Sequence, residues 1–334
     1  MRKITDQDPH ASLPRASAAP VDGVASETGR PAEARSGEFV LLEGTLWYRI
    51  RDYDRLEPFL INLATDTDLW MFVASSGGLT AGRVDADGSL FPYVTSDQLC
   101  DAHRHTGPIT LLRVERTGGP PILWTPFEEN APTGSRLKAG DAPIPDRRPH
   151  VDRNLYKNVS GNQIIFEEIA PELGLTFRHR WAGCDTFGWV RTVTLENRGR
   201  ATARIVLLDG LRNVLPWGAP LGLYQQAGNL VDAYKQSEID PATGLGIFAL
   251  TAGITDRPEA LEILRANTVW CGGLDAFRAH LSLGSIQAFK GGRPFPGRLV
   301  SRGKRGNYLV SATLELAPGE AARWHIVADA GLDH

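Results

Sequence analysis

The sequence predicts an all-β fold, built from two large stacked antiparallel sheets with a few short helices. The stretch from Asn154 to Pro216 contains four segments rich in β-branched and aromatic residues, and turn residues separate them. Segments of the same kind precede and follow this stretch, so the chain holds more strands than a small β-sandwich needs. A sheet of this length must bury one face on another layer, which is why a second large sheet is expected.

The strands predicted in this central stretch cover residues 164–169, 173–181, 187–196 and 203–209. Between the last two lies a short polar segment in which Asn197 and Gly199 occupy positions where a hairpin turn needs positive φ. The pattern therefore predicts a hairpin at this point.

The N-terminal 37 residues are rich in Pro, Ala, Ser, Gly and charge, and few of their side chains are bulky and apolar. Such a segment cannot bury enough surface to offset the entropy cost of its ordering. We therefore expect a disordered tail over residues 1–37 and one β domain over residues 38–334. The domain opens with a predicted hairpin, Phe39–Leu42 and Thr45–Ile50, around the turn residues Glu43 and Gly44.

The rest of the chain follows the same alternation of strands and turns. Further strands are predicted over residues 59–63, 69–73, 109–116, 122–127, 245–251, 267–270, 308–316 and 322–329. Residues 128–153 are predicted to form a long loop. Residues 224–237 fit a short helix or a tight loop, and residues 275–283 are predicted to be a short helix. The last two strands are joined by a turn in which Pro318 presets φ and Gly319 takes the left-handed position.

Composition excludes several classes of function. A formal net charge of -3 offers neither the basic surface of a nucleic-acid-binding protein nor a polybasic membrane patch. The three cysteines, Cys100, Cys184 and Cys271, are too few for a disulfide framework, which favours a reducing compartment. The N-terminus has no secretory h-region and no apolar run is long enough to cross a bilayer, so a cytoplasmic protein is expected. No nucleotide-binding or G-x-S-x-G motif occurs, and no cofactor is expected.

Three sequence features occur one after another along the chain. The first is a Gly-rich turn after an aromatic residue, Trp70 to Arg83, followed by Phe91-Pro92-Tyr93. The second is the strand Arg191 to Asn197, which ends in Asn before a polar turn, and the third is Leu316 to Glu320 before a final apolar strand. In this order the features resemble the N-terminal β domain of cellobiose-phosphorylase-like proteins, the inverting glycoside phosphorylases. The likeness covers about residues 38–330.

The resemblance implies a β-supersandwich of the galactose-mutarotase-like type and carbohydrate as the ligand. In such enzymes the general acid and the phosphate site belong to an (α/α)6 barrel that follows the β domain. The sequence ends just after its last predicted strand, so no catalytic residue can be assigned and the barrel is expected to be separate or missing. A homodimer is a further expected partner. The resemblance therefore predicts a sugar-binding scaffold for a glycosyltransferase-like enzyme whose catalytic domain lies outside this chain.

Polar and aromatic side chains in or beside loops are the candidates for carbohydrate binding. Such residues donate to or accept from sugar hydroxyls, and aromatic faces pack against sugar C–H groups. The candidates are Arg83, Tyr93, Asp97, Asp185 and Trp217. Turn capping is the commoner role of Asp97 and Asp185.

Two other functions stay open at this stage. A stand-alone mutarotase or epimerase needs a general base and a general acid, for which His179 with Glu167 or Glu168 are candidates. An interaction module without a sugar role is the other alternative. The segment Asp101 to His105 would point two imidazoles to one face if it were a strand, but a solvated turn is favoured and no metal is expected.

Overall fold

The structure, a computed structural model, describes residues 37–116, 119–128, 149–255 and 261–333. The predicted tail, apart from Gly37, and most of the predicted loop after residue 128 lie outside the described residues. The strands are β1 Gly37–Leu42, β2 Thr45–Arg51, β3 Leu60–Leu63, β4 Leu69–Ala74, β5 Leu79–Arg83, β6 Gly107–Arg116, β7 Gly119–Trp124, β8 Asp152–Asn158, β9 Gln163–Ala170, β10 Leu175–Cys184, β11 Gly188–Asn197, β12 Ala203–Val214, β13 Lys235–Ile239, β14 Gly246–Leu250, β15 Arg265–Gly272, β16 Arg278–His280, β17 Val300–Arg302, β18 Gly306–Leu316 and β19 Ala321–Asp333.

Three α-helices accompany these strands in the described part of the chain: α1 Ser96–Ala102, α2 Leu221–Tyr234 and α3 Gly284–Lys290. Single 3-10 turns cover Tyr53–Arg55, Ala86–Gly88 and Pro171–Leu173. None of the described helices is long and apolar enough to cross a membrane. The prediction of an all-β fold with large antiparallel sheets and a few short helices is confirmed.

The strands form three antiparallel sheets. The largest has eleven strands in the order β1-β2-β8-β9-β10-β11-β19-β15-β14-β13-β17. A second sheet has five strands in the order β16-β18-β12-β6-β7, and a third has β3, β4 and β5. The sequence did not suggest the third sheet as a separate layer. Most neighbouring strands of the large sheet are also consecutive along the chain and form hairpins. Three of them, β9, β10 and β11, come from the central stretch recognised in the sequence.

One apolar core joins the three sheets. It contains Trp181 and Trp189 from the large sheet, Leu207 from the five-stranded sheet, and Met71 from the small sheet, all almost fully buried. The alternation of the strands explains this, since Phe177, His179 and Trp181 on β10 all point inward. The outer face of the five-stranded sheet is covered separately by α3, through Ile286 and Phe289.

The segment between β11 and β12 corrects a sequence prediction. It is not a hairpin, because β11 belongs to the eleven-stranded sheet and β12 to the five-stranded sheet. Neither Asn197 nor Gly199 has a positive φ. Instead the Asn197 amide donates to the carbonyls of Leu316 and Ala201 at 2.8 and 2.9 Å, which ties two neighbouring crossovers between the layers together. The other crossover contains Gly319, whose φ of 79° confirms the predicted left-handed turn.

One other local prediction is wrong, and two segments with two interpretations are resolved. Residues 275–283 are not a helix; they contain the edge strand β16, and the helix α3 begins at Gly284. Residues 224–237 are helical as α2 up to Tyr234, with a kink at Ala227, and β13 follows. The segment from Asp101 to His105 is the end of α1 and a turn rather than a strand, so its imidazoles do not share a strand face. The hairpin β1–β2 around Glu43 and Gly44 is confirmed, with φ values of 48° and 78°.

Candidate functional site

A cavity of about 360 Å³, here called the central cavity, opens between the large sheet and the five-stranded sheet. Its walls come from many separate places in the sequence. The large sheet contributes Phe166, His179 and Arg191, and the five-stranded sheet contributes Ile109, Thr110 and Arg212. Pro108 on β6 also lines the cavity, and loops, turns and helix ends complete the lining with Tyr53, Ser76, Gly77, His103, Arg104, Thr125, Pro126, Phe127, Glu128 and Lys290.

His179 is the buried imidazole of this cavity. Its ring stacks on Phe166 with centroids 5.1 Å apart and meets the edge of Phe127, also at 5.1 Å. Nδ1 is buried and has no hydrogen-bond partner in the part of the chain that the structure describes. Burial, helped by the positive charge of Arg191, lowers the pKa of His179 well below its usual range, so the imidazole is neutral at pH 7. A neutral imidazole offers one donor and one acceptor.

Phe127 holds an unusual backbone conformation at the cavity wall. Its φ is 64°, the left-handed region that a bulky residue rarely adopts. The Phe127 N–H donates to Glu168 Oε2 at 2.7 Å, and Glu168 also accepts from Arg153 Nε at 2.8 Å and Trp124 Nε1 at 2.6 Å. This buried carboxylate therefore fixes the turn that places the Phe127 ring against His179. Backbone strain of this kind is concentrated at functional sites in proteins.

Arg191 and Asp209 form a buried ion pair below the cavity. Arg191 Nη1 lies 2.8 and 3.0 Å from the two carboxylate oxygens, and both side chains are almost completely buried. Asp209 also accepts from Thr110 Oγ1 at 2.6 Å and from Trp324 Nε1 at 2.7 Å. Because Asp209 lies on the five-stranded sheet while Arg191 and Trp324 lie on the large sheet, this network fastens the two layers beside the cavity.

Arg212 reaches the cavity from a β-bulge. The register of β12 against β18 shifts between Arg212 and Val214, and the extra residue Asn213 has a φ of 58°. The Asn213 amide donates to Thr106 Oγ1 at 2.9 Å, which stabilises this conformation. A bulge redirects the side chains next to it, and bulges are common beside active sites. Here the neighbouring side chain is the buried guanidinium of Arg212.

The mouth of the cavity carries a second ion pair, between Lys290 at the end of α3 and Glu128. Their Nζ and Oε1 atoms lie 3.2 Å apart, and both side chains are partly exposed. An exposed pair of this kind contributes little to stability. It does place one cation and one carboxylate where a ligand would enter.

Three of the five residues predicted to bind carbohydrate come together elsewhere. Arg83 and Trp217 line a second cavity of about 360 Å³, and Asp185 accepts a hydrogen bond through its backbone carbonyl from Arg83 Nη2 at 2.7 Å. Arg83 is further held by Asp329 and Asp68, each 2.6 Å away. Its donors are therefore largely used within the protein.

The other two predicted residues lie apart from the central cavity. Tyr93 packs edge-on against Trp70, with ring centroids 5.5 Å apart. Asp97 is in the first turn of α1 and accepts a hydrogen bond from Thr95, which lowers the pKa of its exposed carboxyl. The Asp97 carboxylate is therefore engaged by its neighbour Thr95 at the start of α1.

The acid–base pair suggested for a mutarotase is not assembled. Glu167 accepts from Asn154 at 2.7 Å and Tyr156 at 2.8 Å, and it also pairs with Arg178. Glu168 is engaged as described above. Neither glutamate lines the central cavity with His179. In the described ranges no group of His, Cys, Asp and Glu side chains is arranged to hold a metal ion.

Sequence reasoning missed Arg191, Asp209, Arg212 and Phe127 as site residues. One signal was available, because Asp209 and Arg212 are charged residues that follow the apolar run Ile205 to Leu208 inside strand β12. A buried charge has to be paired or used, so such positions are candidates for a site. Nothing in the sequence indicated that Phe127 would be strained or that Arg191 would face Asp209 from another sheet.

No protein-family model matches the chain, and no curated protein is detectably similar in sequence. Among solved structures, the chain is similar to a heparinase III gene product with 11% identity and a TM-score of 0.32, over 91% of this chain and 37% of that one. It is also similar to a polysaccharide lyase with 10% identity and a TM-score of 0.35, over 82% of this chain and 33% of that one. The chain thus spans about a third of the length of these two proteins. Likeness at this level says nothing about the ligand of this chain.

Proposed function

We propose that the chain is the β-supersandwich module of a carbohydrate-active protein and that its central cavity binds a saccharide. The observation that carries the proposal is the environment of His179. Its buried Nδ1 has no partner among the described residues, and its ring lies among aromatic side chains at the wall of an open cavity. A buried polar atom without a partner is costly, so a ligand that supplies the missing hydrogen bond gains affinity there.

A saccharide has the two kinds of surface that this cavity requires. Its hydroxyl groups both donate and accept, which suits the neutral imidazole of His179. Its C–H faces pack against aromatic rings such as those of Phe127 and Tyr53. The volume of about 360 Å³ is within the range of small-molecule sites and matches one or two sugar rings.

The phosphorylase resemblance implies that binding and catalysis belong to different domains, and this separation is part of the same proposal. Glu128 is the only carboxylate among the described lining residues, and Lys290 already pairs with it. The cavity thus offers binding groups without a pair of free carboxylates for acid–base chemistry. We propose that the chemistry is carried out by a separate (α/α)6 barrel of glycoside-phosphorylase type. The carbohydrate-binding roles of Arg83, Tyr93, Asp97, Asp185 and Trp217 stay predictions outside this site.

The test is a cavity-blocking substitution. Thr125 lines the mouth of the central cavity and is half-buried, so Thr125→Trp fills the entrance with an indole. Thr313→Trp places the same indole on an exposed strand position and is the matched control. Binding is measured on an array of neutral and acidic oligosaccharides and then by calorimetry. We expect the wild type and Thr313→Trp to bind the same glycans, and Thr125→Trp to lose at least about tenfold in affinity.

Two results contradict the proposal. One is a wild-type protein that binds no glycan on the array. The other is glycan binding that Thr125→Trp leaves unchanged, which would move the site away from the central cavity.

A further inference from the structure

Arg212 is a buried cation at the cavity wall, and no carboxylate among the described residues forms an ion pair with it. Within this part of the chain its side chain donates only to backbone carbonyls: Nη1 to Arg104 at 2.8 Å, and Nη2 to His103 at 2.6 Å and Pro108 at 3.3 Å. Glu128 acts on the guanidinium only at longer range, through its charge. Nε has no hydrogen-bond partner among the described residues. Burial lowers the pKa of Arg212 to about 10, so the guanidinium keeps its charge at neutral pH.

Two other cations of the lining are compensated. Arg191 is neutralised by Asp209 and Lys290 by Glu128. Arg212 differs from both, since its guanidinium is held by carbonyl groups alone. In a site shielded from water, an uncompensated positive charge acts more strongly than on the surface. Buried charges in proteins are normally paired, which makes the exception at Arg212 informative.

The backbone around Arg212 is arranged to hold the guanidinium in place. The carbonyls of His103 and Arg104 belong to the turn at the C-terminal end of α1, and the bulge at Asn213 sets the direction of the side chain. This arrangement orients the cation at the wall of the cavity without neutralising it. If Arg212 only stabilised the fold, a carboxylate partner at this position would serve equally well.

We propose that the ligand of the central cavity is an acidic saccharide, whose carboxylate, sulfate or phosphate group lies against Arg212. The inference rests on the proposed saccharide-binding function and narrows the class of sugar. A charge-assisted hydrogen bond from a guanidinium to an oxyanion is about twice as strong as a neutral one. The acidic group distinguishes such a ligand from its neutral parent at a single position.

The experiment measures dissociation constants by NMR titration for matched probes. Glucuronate, glucose 6-sulfate and glucose 6-phosphate are compared with glucose, galacturonate is compared with galactose, and acetate and inorganic sulfate serve as free anions. We expect at least one acidic sugar to bind roughly tenfold to a hundredfold more tightly than its neutral parent. The relative affinities for the three glucose derivatives identify which anionic group the site takes.

Arg212→Gln removes the charge and keeps a polar side chain. We expect it to lose the preference for the acidic sugar while binding of the neutral parent changes little. Arg302→Gln is the control, since Arg302 is an exposed arginine on β17 whose Nε donates to Gln236 at 3.0 Å. If Arg212→Gln fails to fold, the Nε–H resonance of Arg212 is followed in the same titrations of the wild type, because an anion bound at the guanidinium shifts it and the neutral parent does not.

The outcomes separate the two proposals. Neutral parents that bind as tightly as their acids overturn the acidic-saccharide inference and leave saccharide binding intact. Free anions that bind where no sugar does overturn saccharide binding, and the inference falls with it. An acid preference that survives Arg212→Gln, or acid binding that leaves the Arg212 Nε–H resonance unshifted, overturns the assignment to Arg212.

Discussion

Three buried side chains of the central cavity carry a polar atom without a hydrogen-bond partner among the described residues: Arg191, which is paired with Asp209, and His179 and Arg212, which have no such ion pair. The last two matter most for a ligand. Each is placed by an ordinary feature of β structure. The inward alternation of β10 places His179, and a bulge in β12 places Arg212. Their surroundings set opposite states, since burial keeps the imidazole neutral while the guanidinium stays charged. A ligand with both hydroxyl and acidic groups matches this combination.

The neutral state of His179 makes stability depend on pH. Its pKa is lowered in the folded protein by burial and by Arg191, so below about pH 6.5 the unfolded chain binds a proton that the folded chain does not. Stability therefore falls as the pH decreases through this region, with a limiting slope of about 1.4 kcal/mol per pH unit for one proton. We expect His179→Gln to flatten this decline when the free energy of unfolding is measured by urea titration between pH 7.5 and pH 5.

The control for this prediction is His150→Gln, because His150 is exposed. Other buried histidines, including His280, titrate in both variants and cancel in the comparison. Equal slopes in the wild type and His179→Gln would contradict the prediction.

At the scale of elements, the helix α1 is coupled to the cavity through a close backbone contact. Gly78, in the turn between β4 and β5, lies so near α1 that a Cβ there would be 1.9 Å from the Leu99 carbonyl oxygen and 3.1 Å from the His103 nitrogen. Only glycine fits this contact. The turn after α1 in turn supplies two of the carbonyls that hold Arg212.

Gly78→Ala is therefore expected to displace α1. Overpacking of this kind costs about 1–3 kcal/mol, measured by urea unfolding, and the shift should also weaken glycan binding in the central cavity. Gly222→Ala is the matched control, because a Cβ at Gly222 in α2 meets nothing within 4 Å. It should keep binding unchanged and stabilise by up to about 1 kcal/mol. A Gly78→Ala protein with wild-type stability and binding would show that α1 adapts freely.

At the scale of the whole molecule, the large sheet ends in an exposed edge. Within the described residues β1 has a neighbour on one side only. The hairpin β1–β2 presents Phe39, Leu41, Leu46 and Tyr48 to solvent on one face, since Phe39 is opposite Tyr48 and Leu41 is opposite Leu46. An open strand edge next to an apolar patch favours pairing with another chain. We place the predicted homodimer interface at this edge, and the dimer stays a prediction. The disordered tail and the cytoplasmic location also stay predictions.

Leu41→Lys tests that location. Leu41 is 70% exposed and lies on the edge strand, and Leu264→Lys is the control because Leu264 is 76% exposed but lies outside any strand. We expect Leu41→Lys to raise the dissociation constant of self-association about tenfold, which corresponds to about 1.4 kcal/mol of lost apolar burial. Sedimentation at increasing concentration measures it. A wild type that stays monomeric throughout, or equal effects of the two substitutions, would contradict the prediction.

Local chemistry made much of the fold predictable. The hairpin at Glu43 and Gly44 follows from two adjacent residues that accept positive φ, and the strands of the central stretch follow from their β-branched and aromatic content. Prediction from the sequence failed where contacts between residues far apart in the chain decide the secondary structure. Residues 275–283 have the composition of a helix, but β16 forms within them because the edge of β18 is available for pairing.

The sequence by itself determined the class of fold, most of the long strands and several tight turns, because these depend on residues close together along the chain. Only the tertiary structure decided which layer each strand joins and which polar residues meet at the central cavity. Asn197 illustrates how strands are assigned to layers, since its side chain ties together two crossovers between the sheets and does not belong to a hairpin. Arg191 and Arg212 illustrate which polar residues meet at the cavity. Arg191 faces Asp209, whereas Arg212 faces no acid among the described residues. Whether a buried charge is paired depends on contacts between strands far apart in sequence, and those contacts define the candidate site.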